Sequence, residues 1–358
     1  MKAYKLFSKG NAAVVETPKP ALRPDCVLVK VAYVALNPTD WKHIKATDVP
    51  EGTTPLTVGC DFAGVIEEVG AGVTRPLRPG DRVCGFLHGT HLLRPDDGSF
   101  AEYLVVKADL VLEVPSHMSF PEAATLGVQV YTVGQGLYQA LGLPWPTEPL
   151  PKEAADDEKT PILIYGGSTA MGTLGIQVAK LSGFKVITTC SPRNFDLVKS
   201  LGADEVFDYS SPTVGADIRA YTKNKLRYAW DTVGAEQVCA DALSSEPSSE
   251  QHPNKYATIA RAADNFPRHD VQASITIAYT VSGEPARVFG GVTLPARPED
   301  FVFAKRWGAT AARLFADKKV VPHPVEVRGG LEDITQGLKD LEEGRVSGKK
   351  LVYRVGNL

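Results

Sequence analysis

The chain has 358 residues, of which 43% are hydrophobic and 23% charged, and a formal net charge of -3; it is long enough for two domains with large cores. No basic excess or Lys/Arg block is present to follow a phosphate backbone, which argues against nucleic acid as a partner, and no stretch reaches the roughly 18 apolar residues of a membrane span. The start, MKAYKLFSKGNAAVVETPKP, lacks the apolar core of a secretory signal, so a soluble cytoplasmic protein is expected.

In chain order, the first part is β-rich. VLVKVAYVAL (Val27 to Leu36), FAGVIEEVG (Phe62 to Gly70), DRVCGF (Asp81 to Phe86) and FAEYLVV (Phe100 to Val106) are short strand-like runs between Gly/Pro/Asp clusters, a spacing that suggests a small barrel-like domain. From about Phe120, PEAATLGVQVYTVGQGLYQALG brings helix formers after a Pro suited to a first turn. Thr147 to Thr160, TEPLPKEAADDEKT, is acidic with few large apolar residues, so it is expected as an exposed loop. Strand-like and helix-like segments then alternate: ILIYG with AMGTLGIQVAKLSG, FKVITTC with PRNFDLVKSLG, EVFDY with ADIRAYTKN, LRYAWDT with AEQVCADAL, and KYATIA. This alternation signals right-handed βαβ units and a doubly wound parallel (Rossmann) sheet in an α/β domain. The tail from about Phe301 holds a helix, PHPVEVRGG, a further helix and the strand KLVYRV without more βαβ units. It is therefore returned to the first domain, giving residues 1–120 with 301–358 and residues 121–300.

PILIYGGSTAMGTLGIQVAK, Pro161 to Lys180, sets a strand at Ile162 to Tyr165, a turn at Gly166 to Thr169 and a helix from Ala170 in the first of these units. There Gly166, Gly167 and Gly172 would let the backbone approach a pyrophosphate at a helix N-terminus. A ligand-free glycine turn has the same local geometry. The next strand ends TTCSPRNFD, where an NAD site usually has an acid for the ribose hydroxyls. None occurs before Asp196, whereas Ser191, Arg193 and Asn194 offer donors, which favours NADPH. Ser191 and Pro192 also fit a simple N-cap and N1 pair. The five cysteines (Cys26, Cys60, Cys84, Cys190, Cys239) are scattered singly without a C-x-x-C pair, which suits a reducing compartment and argues against disulfides and a cysteine-based zinc site.

GDRVCGF, GSFAEYLVV, PEAATLG and GIQVAKLSG resemble recurring segments of the medium-chain dehydrogenase/reductases, over essentially the whole chain. That resemblance implies a GroES-like β-barrel catalytic domain bracketing a Rossmann domain. The zinc-free branch is favoured. Asn37-Pro38-Thr39-Asp40 stands where zinc alcohol dehydrogenases have a cysteine ligand, Cys60-Asp61 stands where they have His-Glu, and the four-cysteine loop is missing. His88 and His91 of HGTH lack acidic or thiol partners at ligand spacing, so no metal is expected. LNPTDWKH, YGGSTAMG, TTCSPRNFDLVKSLGADEVFDY and RVSGKKLV, together with the acidic loop, are similar to the trans-acting, lovastatin-type enoyl reductases that serve fungal highly reducing polyketide synthases.

The resemblance implies NADPH reduction of an α,β-unsaturated thioester on the acyl carrier domain of a partner polyketide synthase or synthase-peptide synthetase hybrid. It assigns to the cofactor Thr39, Asp40, Trp41 and Lys42; Ser168, Thr169, Ala170 and Met171; Ser191, Pro192, Arg193, Asn194 and Tyr209; Ile259 and Ala260; and Ser347 with Gly348. To the substrate it assigns Thr132, Val133, Gly134, Gln135, Gly136, Leu137, Tyr138 and Gln139, and Tyr279, Thr280, Val281, Ser282 and Gly283. Lys42 and Thr132 are the catalytic candidates, Lys42 as donor or proton source and Thr132 to fix the nicotinamide amide or the acceptor carbonyl. An aromatic such as Tyr138 is equally suited to a core or pocket wall. Thr169 departs from the glycine of many zinc-free relatives, as either a tolerated replacement or a phosphate ligand. Pro285, Pro295 and Pro298, with glycines at 290 and 291, would protect a late sheet edge and keep the protein monomeric. The alternatives are a free-standing zinc-free NADPH:quinone or enone reductase and a cofactor-binding assembly protein.

Overall fold

In a computed structural model, residues 1–151, 159–250, 253–260, 266–288 and 291–356 are described. Elements in chain order are β1 (Lys2–Ser8), β2 (Asn11–Glu16), β3 (Cys26–Ala35), α1 (Pro38–Ala46), β4 (Leu56–Thr57), β5 (Asp61–Val69), β6 (Arg82–Phe86), β7 (Tyr103–Lys107), β8 (Leu112–Glu113), α2 (Phe120–Ala123) and α3 (Gly127–Gly134). There follow β9 (Pro161–Tyr165), α4 (Ala170–Leu181), β10 (Lys185–Cys190), α5 (Phe195–Ser200), β11 (Glu205–Asp208), α6 (Val214–Tyr221), β12 (Tyr228–Asp231), α7 (Glu236–Ala242), β13 (Asn254–Thr258) and β14 (Val271–Ile275). The last are β15 (Ala286–Arg287), β16 (Thr293–Leu294), α8 (Pro298–Ala316), β17 (Val325–Arg328), α9 (Ile334–Glu342) and β18 (Lys350–Arg354).

Two compact units emerge, Met1–Tyr131 with Ala278–Leu358, and Thr132–Ile277. In the first, β3 is apolar almost throughout because it pairs antiparallel with β5 on one side and with β7 and then β18 on the other. The sheet runs β17-β18-β3-β5-β6-β8, and a second sheet runs β2-β1-β4. Leu6, Val29, Val34, Phe62, Phe100 and Leu104 share one buried cluster with Ile334 and Leu338 of α9 and Leu351 of β18. The C-terminal tail is thereby fixed to the N-terminal barrel by apolar burial.

In the second unit the described sheet is parallel, in the order β11-β10-β9-β12-β13-β14. Strand order reverses beside β9, and a doubly wound sheet of this kind opens its ligand crevice at the carboxyl ends of the strands flanking such a point. β9 is buried along its whole length, as expected for a strand covered on both faces. Gly175 brings α4 onto the sheet, since a Cβ there would lie 2.6 Å from the Trp230 ring.

The units meet at 131/132 and 277/278 rather than at 120/121 and 300/301. Hydrogen bonds account for the difference. Val128 N–H donates to Asp61 and Trp307 Nε1 to the Val130 carbonyl, while Tyr279 and Thr280 bond to His43 and Asp300. The late prolines protect no edge of the parallel sheet. Pro285 and Pro295 flank the paired strands β15 and β16 and Pro298 opens α8, whereas the edge strands of the described sheet are β11 and β14, neither of which has a proline. Gly290 and residues 152–158 of the acidic segment lie outside the described residues. Among those described, no helix is long and apolar enough to cross a membrane.

Candidate active site

In the second unit, β9 ends at Tyr165 and the chain turns through Gly166 at φ +87, a left-handed conformation suited to glycine. A side chain on Gly167 would overlap the Thr188 hydroxyl, and one on Gly172 would overlap the Gly166 carbonyl. The backbone therefore stays bare where a phosphate would approach. Thr169 is the N-cap of α4: its hydroxyl donates to the Gly166 carbonyl at 2.8 Å and accepts from Gly172 N–H at 3.0 Å. It also lies 3.1 Å from the Thr232 hydroxyl at the end of β12. The hydroxyl that sequence reasoning left between replacement and ligand is thus committed to its own turn, with Ser168, Ala170 and Met171 beside it at the start of a 12-residue helix whose first N–H groups and positive dipole end suit an anion.

At the end of β10, Ser191 caps a single turn, Pro192–Asn194, without a side-chain bond to it. Its hydroxyl instead lies 3.4 Å from that of Tyr209, which is 52% exposed. Arg193 is exposed and has no ion pair among the described residues. This patch offers hydroxyls and a guanidinium and no carboxylate from Ser191 to Phe195, a donor set matched to a phosphate on a ribose. Ile259 and Ala260 follow β13, half-buried and exposed. The residues present fit a phosphorylated dinucleotide.

In the first unit, α1 starts at Asn37 with Pro38 at its first position, and Asp40 reaches back to accept Asn37 N–H at 2.7 Å. Asp40 is only 2% exposed and its second oxygen has no partner among the described residues. Its side chain is a buried cap of the helix. Burial, reinforced by the neighbouring Asp61 charge, pushes its carboxyl up to about 7. Lys42 points out of α1 into solvent, its ammonium 5.7 Å from the Trp41 ring. Thr39 is half-buried and bonds the Tyr279 hydroxyl at 2.7 Å.

Where zinc enzymes place ligands, Asp61 is fully engaged. Lys350 Nζ is 2.5 Å away, Asn37 Nδ2 2.9 Å and Val128 N–H 2.6 Å. Lys350 supplies the positive charge, and burial pushes the Cys60 thiol up, away from the thiolate that a metal requires. This donor set does not fit a zinc ion, and among the described residues no group of three or more His, Cys, Asp or Glu is placed to hold one.

The remaining expected residues separate by environment. Thr132, Val133 and Gly134 end α3, and Gln135 to Gln139 form a π-helical turn. Leu137 and Tyr138 are buried within the second unit, where Tyr138 OH meets Ser182 Oγ at 3.0 Å, so Tyr138 is a core residue. Tyr279, Thr280 and Val281 are buried on a turn of the first unit with half-buried Ser282 and with Gly283 at φ +73. Ser347 and Gly348, at φ +66, lie in the turn before β18. Sequence reasoning passed over His43 and Thr90, which extend the Thr39–Tyr279 contact. The available signal was the i, i+4 spacing of Thr39 and His43 on one helix face.

Comparison with known proteins identifies the class. The model of the alcohol dehydrogenase GroES-like domain matches residues 23–116, and that of the zinc-binding dehydrogenase matches residues 170–245. A GroES-like barrel unit with a Rossmann unit defines a medium-chain dehydrogenase/reductase, a class of oxidoreductases. The structure of the quinone oxidoreductase from Coxiella burnetii shares that fold, with a TM-score of 0.72 and 24% identity over 99% of each chain. The trans-enoyl reductase resD of Aspergillus sclerotiorum is 44% identical over 99% of this chain and 100% of its own length, and ACTTS2 of Alternaria alternata is 44% identical over 99% and 98%. The chain belongs to the trans-enoyl reductase family.

Proposed function

We propose that this chain is a trans-acting, NADPH-dependent enoyl reductase that saturates the α,β-double bond of a polyketide thioester carried on the acyl carrier domain of a partner synthase in the cytoplasm. The observation that carries the reading is full-length identity of 44% to two trans-enoyl reductases. The choice of NADPH is supported by the exposed Arg193 beside Ser191 and Tyr209, with no carboxylate at that position.

When bound, the cofactor supplies a hydride for the β-carbon, and negative charge then gathers on the thioester oxygen. The glycine turn and the α4 N-terminus hold the pyrophosphate, while Ser191, Arg193, Asn194 and Tyr209 hold the adenosine phosphate. Lys42, exposed on α1, donates to the thioester oxygen or returns a solvent proton to the α-carbon. Thr132, whose residue is 6% exposed, orients an amide or carbonyl rather than exchanging protons with bulk water. With no metal in the scheme, much of the rate comes from positioning.

The test is NADPH oxidation with a short α,β-unsaturated pantetheine thioester, for the wild type and Lys42→Ala. Turnover on the thioester that falls in the variant supports the reading. Rapid reduction of quinones with none on thioesters overturns it in favour of a free-standing reductase.

A further inference from the structure

A pocket within the first unit is lined by the segment that follows β6 and by the Ala278–Ser282 turn. Its walls include the buried side chains of Phe86, Leu87, Val106, Leu110 and Val281, and the half-buried Arg23, Arg94 and Glu284 mark its mouth. The charges there are matched. Arg23 pairs with Asp97 at 2.8 Å, Arg94 with Glu284 at 2.6 Å, and Lys107 with Glu284 at 2.9 Å and Asp25 at 2.6 Å. Three cations against three carboxylates leave no net charge to draw in an anion, so the mouth suits a neutral ligand.

His88 lines the same pocket and is only 8% exposed, yet neither of its ring nitrogens has a hydrogen-bond partner among the described residues. Its neighbours are ring faces, Tyr279 with centroids 4.0 Å apart and His91 with centroids 4.4 Å apart. Stacking covers the faces of an imidazole and does nothing for the nitrogens at its edge. Burial, with His91 and His43 close by, holds the ring neutral, so it has one N–H to donate and one bare nitrogen to accept. Such groups are costly to leave unmet in an apolar wall. Both nitrogens are shielded from bulk water, so a ligand reaches them through a side-chain shift, which is common on binding. The cavity measures about 50 Å³, room for roughly three or four water-sized groups. It therefore takes a short segment of a ligand. Ordered waters alone would set that volume against five apolar side chains, whereas a chain segment with a single oxygen matches both the walls and His88.

We propose that His88 is a specificity-determining residue: it bonds a hydroxyl or carbonyl oxygen carried on the acyl chain of the substrate beyond the reacting double bond, so that oxygen-bearing chains are reduced in preference to plain hydrocarbon ones. The inference deepens the enoyl reductase reading and rests on it. Tyr279, Val281 and Ser282, which the family resemblance gives to the substrate, line the same pocket.

Two measurements on the full chain test it. The first follows NADPH oxidation with α,β-unsaturated pantetheine thioesters of one chain length: a plain hydrocarbon chain, and a series in which a single hydroxyl is moved along the carbons beyond the double bond. The wild type should favour one member of the series over the hydrocarbon by about fivefold in kcat/KM, the effect of one net hydrogen bond. His88→Leu should abolish that preference and His88→Gln, which keeps a donor and an acceptor, should restore part of it; the ratio does not depend on how much of a variant is folded. Equal turnover of all members by the wild type, or a preference that survives in His88→Leu, would overturn the proposal. The second measurement needs neither turnover nor a variant. Wild-type protein carrying 15N-histidine is titrated with the saturated thioesters, and the hydroxylated chain, but not the hydrocarbon, should move the His88 ring nitrogen resonances. No movement with any member, the result for a pocket that holds ordered water only, would also overturn it. Failure to reduce any thioester would instead contradict the enoyl reductase reading, and the titration would then decide the role of His88.

Discussion

Asp40→Asn should make the protein more stable at alkaline pH. Burial pushes the folded carboxyl up to about 7, well above an ordinary aspartate at 3.8, so the protonated form prefers the fold. The stability linked to this group is complete below pH 4 and is lost as pH rises through 7. Three units correspond to about 4 kcal/mol, of which about a third is already lost at pH 5 and the whole by pH 8. Asparagine keeps an oxygen for the Asn37 N–H and cannot ionise. Urea unfolding of both proteins at pH 5 and pH 8 should therefore show the variant gaining about 3 kcal/mol on the wild type between the two conditions. His43 and His91, lowered to about 4 by burial, contribute stability that is present above their unfolded pKa and lost as pH falls towards 4. They titrate alike in both proteins and cancel in the difference. Parallel stability curves would refute an Asp40 held protonated by burial.

Arg193→Ala should weaken NADPH by about 1.5 to 3 kcal/mol, the range for a hydrogen bond to a charged group, and leave NADH almost unchanged; equal weakening in fluorescence titrations would remove Arg193 from the phosphate site. Gly172→Ala drives a Cβ into the Gly166 carbonyl and to 2.6 Å from Gly167 Cα, so it should loosen NADPH and cost about 1 to 3 kcal/mol of stability; unchanged cofactor affinity would contradict the turn assignment. Lys350→Met leaves the Asp61 carboxylate, fully buried, without its cation and should cost about 3 to 5 kcal/mol in denaturant unfolding. A loss below about 1 kcal/mol would show the pair to be energetically idle.

The parallel sheet was legible because each of its first four strands is a short apolar run followed by a helix, and the glycine turn fell where the pattern placed it. β14 was not legible. Val271–Ile275 alternates weakly and carries Gln272 and Ser274, the composition of an edge strand with one side unpaired. α1 was missed although Asn37, Pro38 and Asp40 spell a helix start, because its apolar face is minor. The division into units at 131/132 and 277/278 was not legible because it depends on side chains such as Trp307 and Tyr279 finding partners far away in sequence. The same limit applies within the site. Thr39 and Tyr279 stand in separate expected segments, their bond spans 240 positions, and no local pattern announces it. Motif position likewise does not announce that the Asp40 side chain is a buried cap of α1.

The central claim is hydride transfer from NADPH to a carrier-bound double bond, and isotope tracing tests it most directly. An enoyl thioester on an isolated acyl carrier domain would be reduced with NADPH deuterated on the transferred face of C4, and the acyl product analysed by mass spectrometry and NMR. The account predicts one deuterium at the β-carbon and a solvent-derived hydrogen at the α-carbon. A saturated product without deuterium at the β-carbon, or no reduction of the thioester under conditions where quinones are reduced, would contradict it.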